Sequence, residues 1–343
     1  MTDFYVVKTG LPVYDWSRAY GLAIVVESLG GDATLQDVGP FFLITGKDPN
    51  VADSSRLHSH LGDDLSWTEP LITRQNAAPE IAKSAQNRLS NPDVLSRIVE
   101  RHRTRHLEAI RGTATLYHGM EPAAAKGFRE PVLGRTYGEG SQLSVPEEEW
   151  HLSLLGHANV SAWCFGKSQR LCIVPVIKLF HVKHLKQVRE ALRETRYING
   201  AGAEVTVAEK SCRLYAKILE SQDEDFRGRA RFDAMLSYTL AKTANQWKPG
   251  TVFTYPLALV NKISSGSSSL ALEALWIWSR ILRAGNRKGW EAIALSLARV
   301  ISNPTHDAWQ RYVSTHIRYA RKKDFHVYYE SDVMTEVLRW VET

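Results

Sequence analysis

The chain opens with the stretch that decides its fold class, FYVVKTGLPVYDWSRAYGLAIVVESL at residues 4–29. Its first residues, Phe4 to Val7, are β-branched or aromatic and favour a strand. A Gly-Leu-Pro turn follows, and the apolar residues after it recur at helical spacing, with Asp15 placed as the N-cap and Gly30 as the stop. Phe41 to Thr45 then favours a second strand. These patterns predict an opening β–α–β arrangement.

The sequence up to residue 225 alternates loop-rich stretches with short regular elements. A helix is predicted from Asp93 to about Ile110, after an Asn-Pro signal. Strand-like runs occur at Val160 to Phe165 and at Leu171 to Leu179, and a shorter one near Glu204 to Val207. Stretches rich in Gly, Pro, Asp and Ser separate these elements, which is typical of long loops.

The sequence after residue 225 has helical periodicity throughout. The first of its helices is predicted from Arg229 to about Lys242. We therefore predict an α+β fold, with an irregular amino-terminal α/β part with long loops at residues 1–225 and a carboxy-terminal helical bundle at residues 226–343.

Charge is distributed unevenly along the chain. The formal net charge is +6, but residues 1–150 hold 15 Lys and Arg against 20 Asp and Glu, whereas residues 151–343 hold 28 against 17. A basic surface favours a polyanion partner, because each neutralised phosphate releases counterions. The alternative is a basic surface that serves solubility alone.

The cysteine pattern and the amino terminus indicate a cytoplasmic protein. The three cysteines, Cys164, Cys172 and Cys212, have no metal-ligand spacing, and an odd number argues against a disulfide framework. Charged residues interrupt the first thirty positions, and no apolar run approaches the roughly 18 residues of a membrane span. We therefore expect a reducing compartment and no membrane partner.

The sequence shows no recognisable catalytic motif. A nucleophile elbow and a phosphate-cradling glycine loop are both absent. His102 and His106 have the i, i+4 spacing of metal ligands, but no Glu completes the pattern, and a solvated basic helix face explains them better. We expect no catalytic residue, no metal and no cofactor, and predict that the protein is not an enzyme. A nuclease or nucleotide-modifying site assembled in space is a less favoured alternative.

The opening motif also carries a resemblance to a known family. The segment VKTGLPVYD at Val7 to Asp15, followed by AYGLAIV at Ala19 to Val25, resembles the amino terminus of large subunits from type I CRISPR surveillance complexes (Cascade), especially of the I-A and I-B branches. In that family a Gly-x-Pro turn followed by an Asp opens the first helix. The layout of an α+β part and a helical bundle is similar as well.

The resemblance implies a non-catalytic subunit with many partners. Such a subunit inspects the protospacer-adjacent motif of a double-stranded DNA target, assists duplex opening and holds the non-target strand. It works in a complex that contains CRISPR RNA and other Cascade subunits, which form the backbone and bind the 5′ handle. A helicase-nuclease or transposition proteins are then recruited to the complex.

Two groups of residues are candidates for nucleic-acid contact under this hypothesis. Amide-bearing or basic residues of the amino-terminal loops are candidates for the motif and the duplex: Gln75, Asn76, Gln86, Asn87, Arg88 and Gln142. Clustered basic residues are candidates for the nucleic-acid backbone: Arg101, Arg103, Arg105, Lys167, Arg170, Lys183, Lys186, Arg227, Arg229, Arg231, Arg280, Arg287 and Lys288.

Two questions stay open at this stage. The competing hypothesis is a basic structural or adaptor protein that binds DNA or partner proteins non-specifically. The second question concerns Met235, from which internal translation would give a separate helical subunit of 109 residues. The alternative is that Met235 is an ordinary core residue.

Overall fold

The computed structural model describes residues 1–61, 78–106, 112–116, 120–122, 143–244, 246–265, 269–322 and 325–342. The strands in these ranges are β1 (Thr2–Val7), β2 (Thr34–Asp37), β3 (Phe41–Gly46), β4 (Ala114–Thr115), β5 (Ser144–Val145), β6 (Ala162–Phe165), β7 (Gln169–His181), β8 (Arg231–Thr243) and β9 (Gln246–Pro256).

The helices are unevenly distributed, and the last five follow one another after the last strand. They are α1 (Pro12–Leu29), α2 (His58–Leu61), α3 (Ala78–Leu89), α4 (Pro92–Arg101), α5 (Glu147–Val160), α6 (Leu185–Arg193), α7 (Ala203–Glu220), α8 (Glu224–Arg229), α9 (Ala258–Ser265), α10 (Ser269–Ala284), α11 (Glu291–Ser302), α12 (His306–Ala320) and α13 (Ser331–Glu342). Short 3₁₀ turns precede α2 and α6. None of these helices is long and apolar enough to cross a membrane.

The strands form one antiparallel sheet and a separate two-stranded pair. The order of the large sheet is β1-β3-β2-β7-β8-β9, and β6 also pairs with β7. The long strand β7 is central, because β8 lies on one side of it and β6 and β2 share the other. Helices α9 to α13 follow the sheet in the chain, so the predicted α+β fold, with sheet first and helices last, is confirmed.

Helix α1 begins at Pro12, three residues before the predicted N-cap. Pro12 suits the first helical position because its φ is already fixed and its missing N–H has no partner there. The N–H groups of Val13 and Tyr14, which have no acceptor within the first turn of the helix, donate to Glu121 Oε2 at 2.9 and 3.1 Å. Asp15 lies inside the helix, so the prediction that it is the N-cap is wrong.

The Asp15 side chain instead holds the turn that precedes the helix. Its carboxylate accepts from the backbone N–H groups of Thr9 and Gly10 at 2.9 and 3.0 Å, and from the Thr9 hydroxyl at 2.8 Å. Gly10 has φ of +88°, a conformation that favours glycine. The Gly-x-Pro turn and the Asp of the opening motif are therefore one structural unit.

Helix α1 packs against α5 through two glycines. A Cβ atom at Gly21 would lie 2.0 Å from the Leu152 carbonyl oxygen, and one at Gly156 would lie 1.9 Å from the Ser17 carbonyl oxygen. The backbones of the two helices are thus so close that neither glycine position has room for a Cβ atom. Helix α1 also packs against β1, β2 and β3, and it is almost completely buried.

Three of the predicted elements are wrong in type or length. Residues 231–243 form strand β8, not a helix, because β8 lies between β7 and β9 and is buried on both faces in its middle, which removes the alternation that marks a strand. The strand predicted near Glu204 lies inside α7. The helix predicted from Asp93 to about Ile110 ends at Arg101, and residues 107–110 lie outside the described residues. Strands β8 and β9 of the large sheet both lie within residues 226–343, where the sequence predicts only helices, and the uninterrupted run of helices begins at Ala258. The division at residue 225 stays a prediction.

Candidate nucleic-acid interface

A groove lined by arginines lies at the carboxyl end of α10. It has a volume of about 690 Å³. Its lining combines cationic, amide and aromatic side chains: Tyr197, Ile198, Arg280, Arg283, Ala284, Asn286, Arg287, Trp290, His326 and Val327. Arg280 and Arg283 lie one turn apart on α10, and Arg287 follows in the next turn. None of these three arginines forms an ion pair with a described residue.

A buried carboxyl group lies behind Tyr197 in this groove. The Tyr197 hydroxyl donates to Glu209 Oε1 at 3.2 Å, and Asn199 donates to Glu209 Oε2 at 3.2 Å. Burial raises the pKa of Glu209 above its usual value, although Arg213 and Arg283 act in the opposite direction. Both of its oxygens thus accept hydrogen bonds from neutral donors, Tyr197 and Asn199.

A second basic surface lies at the end of the sheet where the β6–β7 and β8–β9 turns meet. Lys242 N donates to Ser168 O at 2.8 Å, which joins the two turns. Three exposed lysines lie at this end, Lys167 in the β6–β7 turn, Lys242 near the end of β8 and Lys248 near the start of β9, and none forms an ion pair with a described residue. The sheet end therefore presents several charges to solvent.

Aromatic side chains are interleaved with these charges. The Arg170 guanidinium carbon lies 4.2 Å from the centre of the Trp247 ring and 6.0 Å from that of Phe165. Phe165 and Arg170 are paired across β6 and β7, so their side chains share one face of the sheet. Phe165 is 39% exposed. Cations and aromatic rings in this arrangement are typical of single-stranded nucleic-acid binding surfaces.

A short backbone connection joins the sheet end to the groove. Phe165 N donates to Arg196 O at 2.7 Å, and Ile198 N donates to Phe165 O at 3.4 Å. Tyr197 and Ile198 belong to this connection and also line the groove. Arg196 between the two surfaces is exposed. We call the basic residues of the sheet end, of the groove and of the segment between them the basic strip, which comprises Lys167, Arg170, Arg196, Lys242, Lys248, Arg280, Arg283 and Arg287.

One cluster of potentially reactive side chains, His157, Ser17 and Cys172, is buried away from this strip. His157 Nδ1 lies 3.3 Å from Ser17 Oγ, and His157 Nε2 lies 3.7 Å from Cys172 Sγ, but all three side chains are fully buried. Burial lowers the pKa of His157 to about 3 and raises the pKa of the Cys172 thiol. Within the described ranges no group of three His, Cys, Asp or Glu side chains could hold a metal ion.

Comparison with known proteins gives one full-length relative. No family model matches the chain. A protein of Archaeoglobus fulgidus, described as uncharacterized, is 30% identical over 353 residues, which cover 99% of this chain and 99% of the relative. The two proteins belong to one family. The aligned region spans nearly the whole of both chains. The opening motif and the basic strip therefore both lie within the region that is aligned between the two proteins.

In this member of the family, the basic strip contains several of the predicted backbone contacts. Lys167 and Arg170 lie at the sheet end, and Arg280 and Arg287 lie in the groove. Lys288 follows Arg287 in the same turn and is exposed. The structure thus brings together residues that are more than 100 positions apart in the sequence.

The strip also contains four residues that are absent from the predicted set. They are Arg196, Lys242, Lys248 and Arg283. A signal for Lys242 and Lys248 exists in the sequence, because residues 151–189 and 234–272 contain no Asp or Glu. These acid-free stretches contain β6, β7, β9 and most of β8, so a count of missing acids would have indicated this end of the sheet. Arg196 and Arg283 lie outside both stretches.

Three predicted contacts lie on α4 and after it, where acidic or aromatic partners hold them. Arg101 Nη1 lies 3.6 Å from Glu148. Arg103 pairs with Asp48 at 2.6 Å and with Glu100 at 2.8 Å. The guanidinium of Arg105 is exposed and packs on Phe41 and Tyr5. Their role in nucleic-acid contact stays a prediction.

The remaining backbone candidates lie around α6 and α8, outside the strip. Lys183 lies 2.9 Å from Asp225, and Lys186 lies 4.0 Å from Glu190. Arg227 lies 3.7 Å from Glu224, and Arg231 donates to Ser265 Oγ at 3.1 Å. The side chain of Arg229 lies outside the described residues. An acidic neighbour weakens the pull of a cation on phosphate, so the structure favours the strip over these positions.

The predicted duplex contacts are only partly described. Gln75, Asn76 and Gln142 lie outside the described residues. Gln86, Asn87 and Arg88 lie on helix α3, not on a loop as predicted, and Arg88 lies 3.5 Å from Glu147. Asn87 is exposed and Gln86 is half-buried. Their contact with a duplex stays a prediction.

Proposed function

We propose that this chain is the non-catalytic large subunit of a type I CRISPR RNA-guided DNA-binding complex, acting in the cytoplasm. The observation that supports it best is the basic strip, in which three groove arginines without an ion-pair partner among the described residues continue into the lysines of the sheet end. Cations spread along an extended surface are suited to a ligand with many phosphates, such as a nucleic-acid backbone, rather than to a single small anion.

The opening motif supports the placement in this kind of complex. The carboxylate of Asp15 binds the Thr9 and Gly10 N–H groups and the helix begins at Pro12, which gives these four residues of the motif a structural role. In the proposed complex the subunit recognises the protospacer-adjacent motif, assists duplex opening and holds the non-target strand. CRISPR RNA and the other Cascade subunits are its partners, and a helicase-nuclease or transposition proteins act downstream.

The RNA that accompanies the protein tests this proposal. The protein is tagged in its native host, purified gently, and the RNA in the preparation is sequenced. We expect short RNAs of uniform length that share repeat-derived ends. A preparation without such RNA would contradict the proposal and favour the basic adaptor.

A further inference from the structure

Phe165 is an exposed aromatic ring in the middle of a cationic surface. It is 39% exposed at the end of β6, where the chain turns into β7. Lys167 follows it in the turn, Arg170 is its cross-strand partner, and Arg196 binds its backbone. An apolar protein partner would have to desolvate these charges to reach the ring, which is costly. A nucleotide, by contrast, can stack its base on the ring while its phosphate binds the cations.

The ring is held in place before any ligand arrives. Hydrogen bonds to Arg196 and from Ile198 fix its backbone on both sides. The Arg170 guanidinium lies 6.0 Å from the centre of the Phe165 ring and 4.2 Å from that of Trp247. Such a preformed surface loses little conformational freedom on binding. The exposed ring therefore suits stacking on a flat partner.

We propose that Phe165 stacks on an unpaired nucleobase of a single-stranded nucleic acid whose phosphates lie along the basic strip. This inference rests on the proposed function and adds a base-stacking site at the sheet end. Duplex DNA does not fit, because the faces of its bases are covered by their neighbours, whereas every base of a single strand offers a free face. The strip then distinguishes a single strand from a duplex without reading its sequence.

The contribution of the base can be separated from that of the phosphates with purified full-length protein. Fluorescence anisotropy is used to measure binding to an oligonucleotide of about 15 thymidines, to an abasic strand of equal length and to the matching duplex. We expect the thymidine strand to bind about five-fold or more tightly than the abasic strand. Phe165→Ala should remove this difference and leave abasic binding unchanged. Phe165→Trp should preserve the difference.

Leu179→Ala provides a matched control, because Leu179 is 44% exposed and lies near the end of β7 that is far from Phe165. This variant should bind all three ligands like the wild type. The inference is overturned if the wild type binds thymidine and abasic strands equally, or if Phe165→Ala retains the preference. If the wild type binds none of the strands at low salt, the proposed nucleic-acid function fails along with it.

Discussion

The side chain of Arg18 is fully buried, and its Nε donates a hydrogen bond of 2.7 Å to Glu149 Oε2. The pair joins α1 to α5. The other oxygen of Glu149 lies 3.0 Å from His102 Nε2, and His102 Nδ1 lies 2.7 Å from the Tyr5 carbonyl oxygen. The buried carboxylate therefore ties β1, α1, α5 and the end of α4 into one unit.

Glu149→Ala should destabilise the protein by about 3 to 5 kcal/mol, because the buried charge of Arg18 then loses its closer acidic partner and keeps only Asp15, at 3.4 Å. Urea unfolding followed by circular dichroism measures the change. Arg97→Ala is the control, since Arg97 pairs with Glu148 on the surface, and such pairs contribute about 0 to 1 kcal/mol. Equal effects of the two variants would contradict the assigned role of Glu149.

Glu149 should also make the stability depend on pH in the acid range. Burial opposes its ionisation, but His102 and Arg18 outweigh this effect and hold the pKa of Glu149 well below its usual value. A carboxyl group with a lowered pKa in the folded state stabilises the fold above about pH 4.3, its unfolded pKa, and this stabilisation is lost as the pH falls. The free energy of unfolding, measured from pH 7 to pH 3, should decrease less steeply in Glu149→Gln than in the wild type. A profile of equal slope would show that Glu149 is not the titrating group.

The groove arginines should account for part of the salt dependence of nucleic-acid binding. Replacing Arg280, Arg283 and Arg287 together by Ala should weaken binding to every sequence. It should also lower the slope of log K against log salt by about 0.7 to 0.9 for each phosphate that the variant no longer neutralises. Titrations at several salt concentrations measure this slope. Arg103→Ala is the matched control, because Arg103 is already paired with Asp48.

The charge cluster around α8 provides a second comparison. Substituting Arg227, Arg229 and Arg231 together tests the hypothesis drawn from the sequence, which assigns these residues to phosphate contact. Arg227 lies 3.7 Å from Glu224, and Arg231 donates to Ser265. We therefore expect a smaller change of the salt slope than in the groove variant. A larger change would place the main phosphate contacts on α8 instead of α10.

The sequence predicts those parts of the fold that local patterns determine. Strands β1 and β3 and the helices after Ser269 have clear periodicity and turn residues at their ends, and they occur as predicted. Helix α5 escapes prediction because nearly all of its residues are buried, so no polar face marks it. Strand β8 is predicted as a helix for a similar reason. Both of its faces are covered, so its sequence lacks the alternation of apolar and polar residues that marks a strand.

The residues of the candidate site, too, are predictable from the sequence only where local patterns determine them. Lys167 and Arg170 stand close together in the sequence, as do Arg280 and Arg287, so clustering indicates them. Arg196, by contrast, joins the strip only because its carbonyl group accepts the N–H of Phe165. Lys242 does so because the β8–β9 turn binds the β6–β7 turn. Both contacts depend on long-range sheet pairing, which residue spacing does not reveal.

The contact between α1 and α5 should tolerate no side chain at its glycines. Gly21→Ala would place a Cβ atom 2.0 Å from the Leu152 carbonyl oxygen, so the two helices must move apart. We expect a loss of about 1 to 3 kcal/mol or more, as for other overpacked cores. Gly228→Ala is the control, because nothing lies within 4 Å of a Cβ there and Ala is a better helix former than Gly. Thermal unfolding of both variants distinguishes steric strain from a general effect of glycine replacement.

Met235 is a core residue of the sheet, which bears on internal translation from this position. It is fully buried in the middle of β8, where it pairs with Pro175 of β7 and Tyr255 of β9. A chain that begins at Met235 would lack β7, so the β8 backbone groups that face β7 and the apolar side chains of the strand would be exposed.

We therefore expect the gene, expressed in its native host with a carboxy-terminal tag, to yield only the full-length chain, and residues 235–343 produced alone to aggregate or to lack cooperative unfolding. Immunoblotting and thermal unfolding measure the two outcomes. The variant Met235→Leu removes the start codon and keeps an apolar side chain of similar volume in the sheet. A short tagged product that disappears in this variant, together with a soluble and cooperatively folded fragment, would overturn the expectation, because the helices could then assemble without the rest of the sheet.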